Sequence, residues 1–162
     1  MLSKAVVVYI AHLIALIGTP YTKLNCTEFI LTAHGETQEC DSSQMFRGCQ
    51  GRMIQVGLEH KDLIEVSLYE NELQPGDVLC FRGGHVAAYL GNGWIIDSAR
   101  DAVGVRRLLD QFPYDAWYHG PIRVRRWASD AQADSGAQQR DVRHKKAGPA
   151  TSKSVKGQRN GA

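Results

Sequence analysis

The chain has 162 residues, 43% of them hydrophobic and 22% charged, with a formal net charge of +2. That balance excludes a fibrous, wholly disordered or membrane-embedded protein and fits one soluble globular domain. The charge is uneven: residues 128 to 162 carry seven Lys/Arg against three Asp/Glu and almost no large apolar residue, so they read as a disordered basic tail on a domain spanning 1–127.

Ser3 can cap a first helix whose apolar residues Val6, Val7, Ile10, Leu13, Ile14 and Ile17 recur at three- and four-residue steps up to Gly18. Lys4 followed by an apolar run resembles a secretory signal, but His12 interrupts it and no small-residue cleavage site follows. The expectation is therefore a retained helix, too short to span a membrane. A second helix starts at Asn25, where Asn25-Cys-Thr-Glu28 supplies a capping box, and ends near His34-Gly35. Residues 42 to 57 are read as a third helix carrying Met45, Phe46, Met53 and Ile54, weakened by Gly48 and Gly51. After Leu73-Gln-Pro-Gly-Asp77 come three β-rich runs, 78–81, 85–90 and 94–97, the last two joined by Gly91-Asn-Gly93. A fourth run, 121–127, alternates Ile122 and Val124 with arginines, as a half-exposed or edge strand would. Helices first and an antiparallel sheet afterwards predict an α+β fold.

Cys26 falls in the first turn of the second helix, where unpaired N–H groups and the helix dipole favour a thiolate and can also stabilise an oxyanion. Taken alone, it would read as a buried structural cysteine. His85 opens a strand after Arg82-Gly-Gly84, whose glycines allow close approach of a backbone or ligand, so its imidazole can serve as a base. Asp97 sits across the hairpin, where its carboxylate can orient that imidazole. The remaining cysteines, 40, 49 and 80, have neither C-x-x-C pairing nor zinc spacing, so neither a metal site nor any cofactor is expected. Cys40 and Cys49 are close enough in sequence for a disulfide, and buried free thiols would account for them equally well. Asp77 reads as turn chemistry; Trp94, Trp117 and Trp127 as core aromatics before cleft residues; His12, His34, His60, His119 and His144 as core, cap or surface residues.

Gly18-Thr-Pro-Tyr21, Asn25-Cys-Thr-Glu-Phe29, Leu73-Gln-Pro-Gly-Asp77 and His85-Val-Ala-Ala-Tyr-Leu-Gly-Asn-Gly93 resemble, in order over about residues 3 to 127, the signature blocks of the NlpC-type papain-like cell-wall peptidases. The resemblance implies a minimal papain-like fold with Cys26 as nucleophile, His85 as base and Asp97 as third member. It implies substrate contacts at Tyr21, Asn25 and Gly84, and as substrate the peptide part of peptidoglycan. The chain departs from the family where Asp-Cys-Ser-Gly becomes Asn25-Cys-Thr-Glu28, where a histidine more often stands at Asp97, and in a shorter segment between Tyr21 and Cys26. The Asn-Cys-x-x-Phe block is also similar to lecithin retinol acyltransferase-like proteins, but those carry His before Cys.

The reading that follows is a cysteine endopeptidase or amidase acting on stem peptides or cross-links. Its expected place of action is outside the cytoplasm, after delivery by a phage particle or an interbacterial secretion system, with an immunity protein as a partner in the second case. Neither a specific nucleic-acid partner nor a membrane span is expected. A papain-like acyltransferase or deamidase, and a non-catalytic binding module on the same fold, are the alternatives.

Overall fold

The structure, a computed structural model, describes residues 1–82, 84–111 and 120–128. The basic tail beyond 128, Trp117, His119 and His144 lie outside them. Ser3 opens the first helix, α1 (Lys4–Ala15), by accepting the Val6 N–H on its hydroxyl. Val6, Tyr9 and Leu13 form its buried stripe, whereas Val7, Ile14 and Ile17 of the sequence pattern are exposed. Burying side chains of this size contributes roughly 1.5–3 kcal/mol each, which is what docks α1 onto the rest. No helix among the described residues is long and apolar enough to cross a membrane.

The second helix, α2 (Cys26–His34), has both halves of the capping box at Asn25 and Glu28 and ends at Gly35 with φ of 80°. A single helix over 42–57 does not form. Instead α3 (Ser42–Arg47) starts from an Asp41–Gln44 capping box and stops at Gly48, where φ is 113°, a left-handed value that glycine adopts without a Cβ penalty. Met53 and Ile54 belong to a strand, β1 (Met53–His60), and a Cys40–Cys49 disulfide with 6.2 Å between Cα atoms ties the two flanks of α3. A short helix, α4 (Leu63–Leu68), follows from the Asp62 cap.

Then come β2 (Val78–Phe81), β3 (His85–Gly91), β4 (Trp94–Ala99), β5 (Ala102–Arg107) and β6 (Ile122–Trp127). They form a six-stranded sheet in the order β1-β6-β2-β3-β4-β5, and all its neighbours are antiparallel. The α+β expectation is met. The edge placement of 121–127 is not: β6 lies between β1 and β2, with Ile122 and Val124 fully buried, and β1 takes the edge. Its arginines can be interior because each has a partner. Arg125 donates to the Phe46 carbonyl at 2.6 Å, and Arg126 forms a two-pronged ion pair with Asp77 at 2.7 and 2.9 Å. Asp77 has no solvent exposure and also accepts the Gln74 N–H, so the Pro-Gly-Asp turn is locked from both sides.

Strands β2 and β3 read as nearly continuous apolar runs because both sheet faces are covered. Val78, Cys80, Val86 and Ala88 meet Leu13, Phe29, Ile30 and Met45 on one face. Leu79, Phe81, Ala87 and Tyr89 meet Leu63 and Val66 on the other. Trp127 packs in the first cluster with His34 stacked on it at 3.9 Å, while Trp94 is exposed under Arg107.

Candidate active site

The N-terminus of α2 is held against the sheet by two ties. Ser98 of β4, fully buried, donates its hydroxyl to the Leu24 carbonyl, and the 18–21 segment is laced to the start of β5. Within that lacing the Tyr21 N–H reaches the Asp101 carbonyl at 2.9 Å, and Thr19 and Val103 bond at 2.9 Å. These contacts fix where Cys26 and Tyr21 stand.

Cys26 is buried, as is His85, and the two stand close enough that the sulfur helps raise the imidazole pKa. His85 Nε2 lies 2.7 Å from Asp97 Oδ2. With Nε2 facing the carboxylate, Nδ1 is the nitrogen left for Cys26. Both side chains come from one face of the β3–β4 hairpin: the register pairs Ala88 with Ile96, which puts Ala87 opposite Asp97 and His85 two residues away on the same side. Burial pulls the His85 imidazolium down, but hydrogen bonds to Asp97 and Cys26, with their negative charges, outweigh it and push the pKa up to about 9.

Asp97 is fully buried, and its second oxygen, Oδ1, takes a hydrogen bond from Arg106 Nη1 at 2.6 Å. Arg106 is itself positioned by the carbonyls of Gly104 at 2.9 Å and Ala99 at 3.4 Å. The carboxylate therefore has one oxygen on the imidazole and one on a guanidinium, which leaves its plane no freedom to turn.

First-turn donors of α2 are mostly taken. Asn25 Oδ1 accepts Thr27 N–H and Glu28 N–H, both at 3.0 Å, and the Phe29 N–H goes to the Asn25 carbonyl at 2.9 Å. The Cys26 N–H has no partner among the described residues, so it is the donor available to an oxyanion formed at the sulfur.

Of the other sequence candidates, Tyr21 stands close enough to Cys26 and Glu28 that, after burial, their charges help raise its phenol above the usual range. Asn25 adjoins Cys26, with its amide oxygen committed to the cap and its backbone N–H to Glu28 at 2.9 Å. Gly84 precedes His85 with φ of 100°, and Ser42 Oγ would lie 3.9 Å from a Cβ built there. Cys80 is the contrasting thiol: buried in β2 near Cys26, it is pushed up to about 12 by burial. Among the described residues no cluster of three or more His, Cys, Asp or Glu is arranged to hold a metal ion.

The model of the NlpC/P60 family matches residues 21–123, a segment that contains Tyr21, Cys26, His85, Asp97 and Arg106. The chain belongs to the NlpC/P60 family. A crystal structure of an NlpC/P60 family protein from Bacillus cereus ATCC 10987 superposes with a TM-score of 0.51 at 24% identity, over 75% of this chain. That likeness is one of fold, and the chain spans 40% of the length of the Bacillus protein. No curated protein sequence matches.

NlpC/P60 proteins are generally cysteine hydrolases of the cell-wall peptidase and amidase kind. Arg106 and Ser98 were not visible as site residues in the sequence. Arg106 lies in an Ala-Val-Gly-Val-Arg-Arg run that carries no motif, and it reaches Asp97 through strand register alone, with Asp97 opposite Gly104.

Proposed function

We propose that the chain hydrolyses amide bonds in the peptide part of peptidoglycan, with Cys26 as nucleophile, His85 as proton carrier and Asp97 as the group that orients it. The observation that carries this reading is the convergence of three side chains: Cys26, the first residue of α2, acts on the buried His85 imidazole, whose Nε2 lies 2.7 Å from the buried Asp97 Oδ2. The thiolate attacks the scissile carbonyl carbon, and the oxyanion that forms receives the Cys26 N–H. The proton that the thiol gave up resides on His85 and passes from Nδ1 to the leaving nitrogen as the C–N bond breaks. Water then enters, His85 takes its proton, and hydroxide attack on the thioester releases the acid and restores the thiol. The Cys40–Cys49 disulfide supports action outside the cytoplasm, where such bonds persist.

A raised imidazole pKa sets the pH behaviour. The free His85 value is 6.5 and the folded one about 9, so the folded state binds the proton more tightly. The resulting stability is fully present below about pH 6.5 and is lost as pH climbs through about 9. Denaturant midpoints of wild type and His85→Asn are expected to differ most at pH 6 and to converge by pH 10. A gap that stayed constant would show that His85 does not titrate with a raised value. The same proton serves the leaving nitrogen, so kcat/KM should fall on the alkaline side near pH 9.

The test of the function is digestion of purified diaminopimelate-type peptidoglycan, with mass spectrometry of the released fragments and an iodoacetamide-treated sample beside it. Released stem peptides from the untreated protein alone are the expected result, and their masses name the bond. An intact wall with the folded, untreated protein would remove the reading.

A further inference from the structure

A cleft of about 570 Å³ opens between α3 and the β1–β6–β2 part of the sheet, lined by Ser43, Phe46, Arg47, Glu59, Arg82 and Arg123. Three guanidiniums face one carboxylate there, and that carboxylate is already engaged, with Glu59 Oε2 accepting from Arg123 Nε at 2.8 Å. Arg123 also lies over the Phe46 ring at 4.5 Å, which fixes it as part of the wall. Arg47 bonds a neutral group, the Ser43 hydroxyl at 2.6 Å. Arg82 is exposed; its backbone N–H donates to the Pro121 carbonyl, while its guanidinium has no hydrogen bond or ion pair among the described residues. Two positive charges are thus left facing one concave site, an arrangement whose mutual repulsion an incoming anion relieves.

The cleft reaches the turn that leads into β3, which His85 opens. Arg82 follows β2 directly and stands three residues before His85, with Gly84 between them lying against Ser42 of α3. Cys80, which interacts electrostatically with Cys26, is paired across β6 with Arg123. Residues paired this way share a sheet face about 4.8 Å apart. Arg123 therefore shares a sheet face with Cys80, and because three residues span at most about 11 Å, a peptide whose amide lies beside His85 has the Arg82 end of the cleft within reach.

We propose that this cleft is a carboxylate subsite: Arg47 and Arg82 bind a free carboxylate of the peptide whose amide lies at Cys26, and so select non-amidated over amidated stem peptides. The choice of a carboxylate follows from the planar fork of arginine, which matches two carboxylate oxygens at once. This deepens the hydrolase reading and takes the identity of its ligand from it.

The experiment measures binding to the full chain carrying Cys26→Ala, which cannot turn the ligand over. Calorimetric titrations would use a stem tetrapeptide with free carboxylates and the same peptide with every carboxyl converted to carboxamide. Each is repeated in an Arg47→Gln/Arg82→Gln background; both arginines are exposed, so the fold is retained, whereas Arg123 helps hold α3 and is left alone. The free acid is expected to bind at least about tenfold more tightly than the amide, the size of a charge-assisted hydrogen bond or more. The double substitution should erase that preference without weakening amide binding, and singly amidated peptides then identify the carboxylate involved.

Equal binding of acid and amide, a preference that survives the double substitution, or no binding of either peptide would overturn the proposal. Arginine-dependent binding of glycerol phosphate with no peptide preference would reassign the cleft to wall phosphates and overturn it as well. Failure of the hydrolase reading gives a different pattern: wild type binds the acid through the two arginines and never cleaves it. Cleavage of acid and amide with equal kcat/KM would instead keep the hydrolase and remove the subsite.

Discussion

Cys26→Ala is expected to lower hydrolysis of a stem peptide by at least about 10⁴-fold, to the background of the assay, because it removes the sulfur proposed to form the acyl intermediate. Cys80→Ala is expected to leave kcat/KM within about twofold. Cys80 is the sharp control, since it packs in the same core cluster, interacts with Cys26 and is the other free thiol of the chain. What separates the two is their surroundings: Cys80 sits in the middle of a buried strand, where burial pushes its pKa up to about 12, while Cys26 has His85 to accept its proton. Iodoacetamide applied to the native protein should accordingly label Cys26 and spare Cys80, a difference that peptide mapping reads directly. Labelling of Cys80 with Cys26 untouched, or hydrolysis by Cys26→Ala at the wild-type rate, would move the nucleophile elsewhere.

Much of this site could be read from residue order because its parts are local. The capping box at Asn25–Glu28 sets where α2 begins, and that alone puts Cys26 at a helix terminus. The Pro-Gly-Asp turn and the Gly91-Asn-Gly93 hairpin phase β2, β3 and β4, which brings His85 and Asp97 to one face. What could not be read depends on pairing between distant segments. β1 looks like the end of a helix because Met53, Ile54 and Val56 fit either period. Its partner β6 begins more than 60 residues after β1 ends, and its own exposure does not alternate, as suits an edge. β6 carries Arg123, Arg125 and Arg126, which suggested an exposed strand. Those charges are tolerated on a strand inside the sheet because the Phe46 carbonyl, Glu59 and Asp77 meet them from three other segments. Arg106 belongs to the same class, since it becomes a site residue only when β5 pairs with β4.

Arg106 also decides what happens when the third member of the array is changed. Asp97→Asn is expected to lower kcat/KM by about 10³–10⁴-fold, comparable to removing the orienting carboxylate from other triads of this geometry. The new side chain has one oxygen and one amino group for two neighbours that both donate, His85 Nε2–H and the Arg106 guanidinium. A guanidinium has no acceptor, so the amide oxygen must face Arg106 and the amino group must face His85. Nε2 is then forced to accept, its proton moves to Nδ1, and the nitrogen that should take the Cys26 proton is already protonated. Replacing Arg106 removes that constraint. In Asp97→Asn/Arg106→Met the amide can flip, present its oxygen to Nε2–H and restore the productive tautomer. The double variant is therefore expected to be more active than Asp97→Asn alone, by about tenfold or more, even though Arg106→Met by itself should lower the rate through a looser Asp97. Multiplicative losses in the kinetic double-mutant cycle would show that Arg106 does not set the orientation of residue 97. A rescue that appears in kcat more than in KM, with histidine proton signals shifting from Nδ1–H to Nε2–H, would show that it acts through the tautomer of His85.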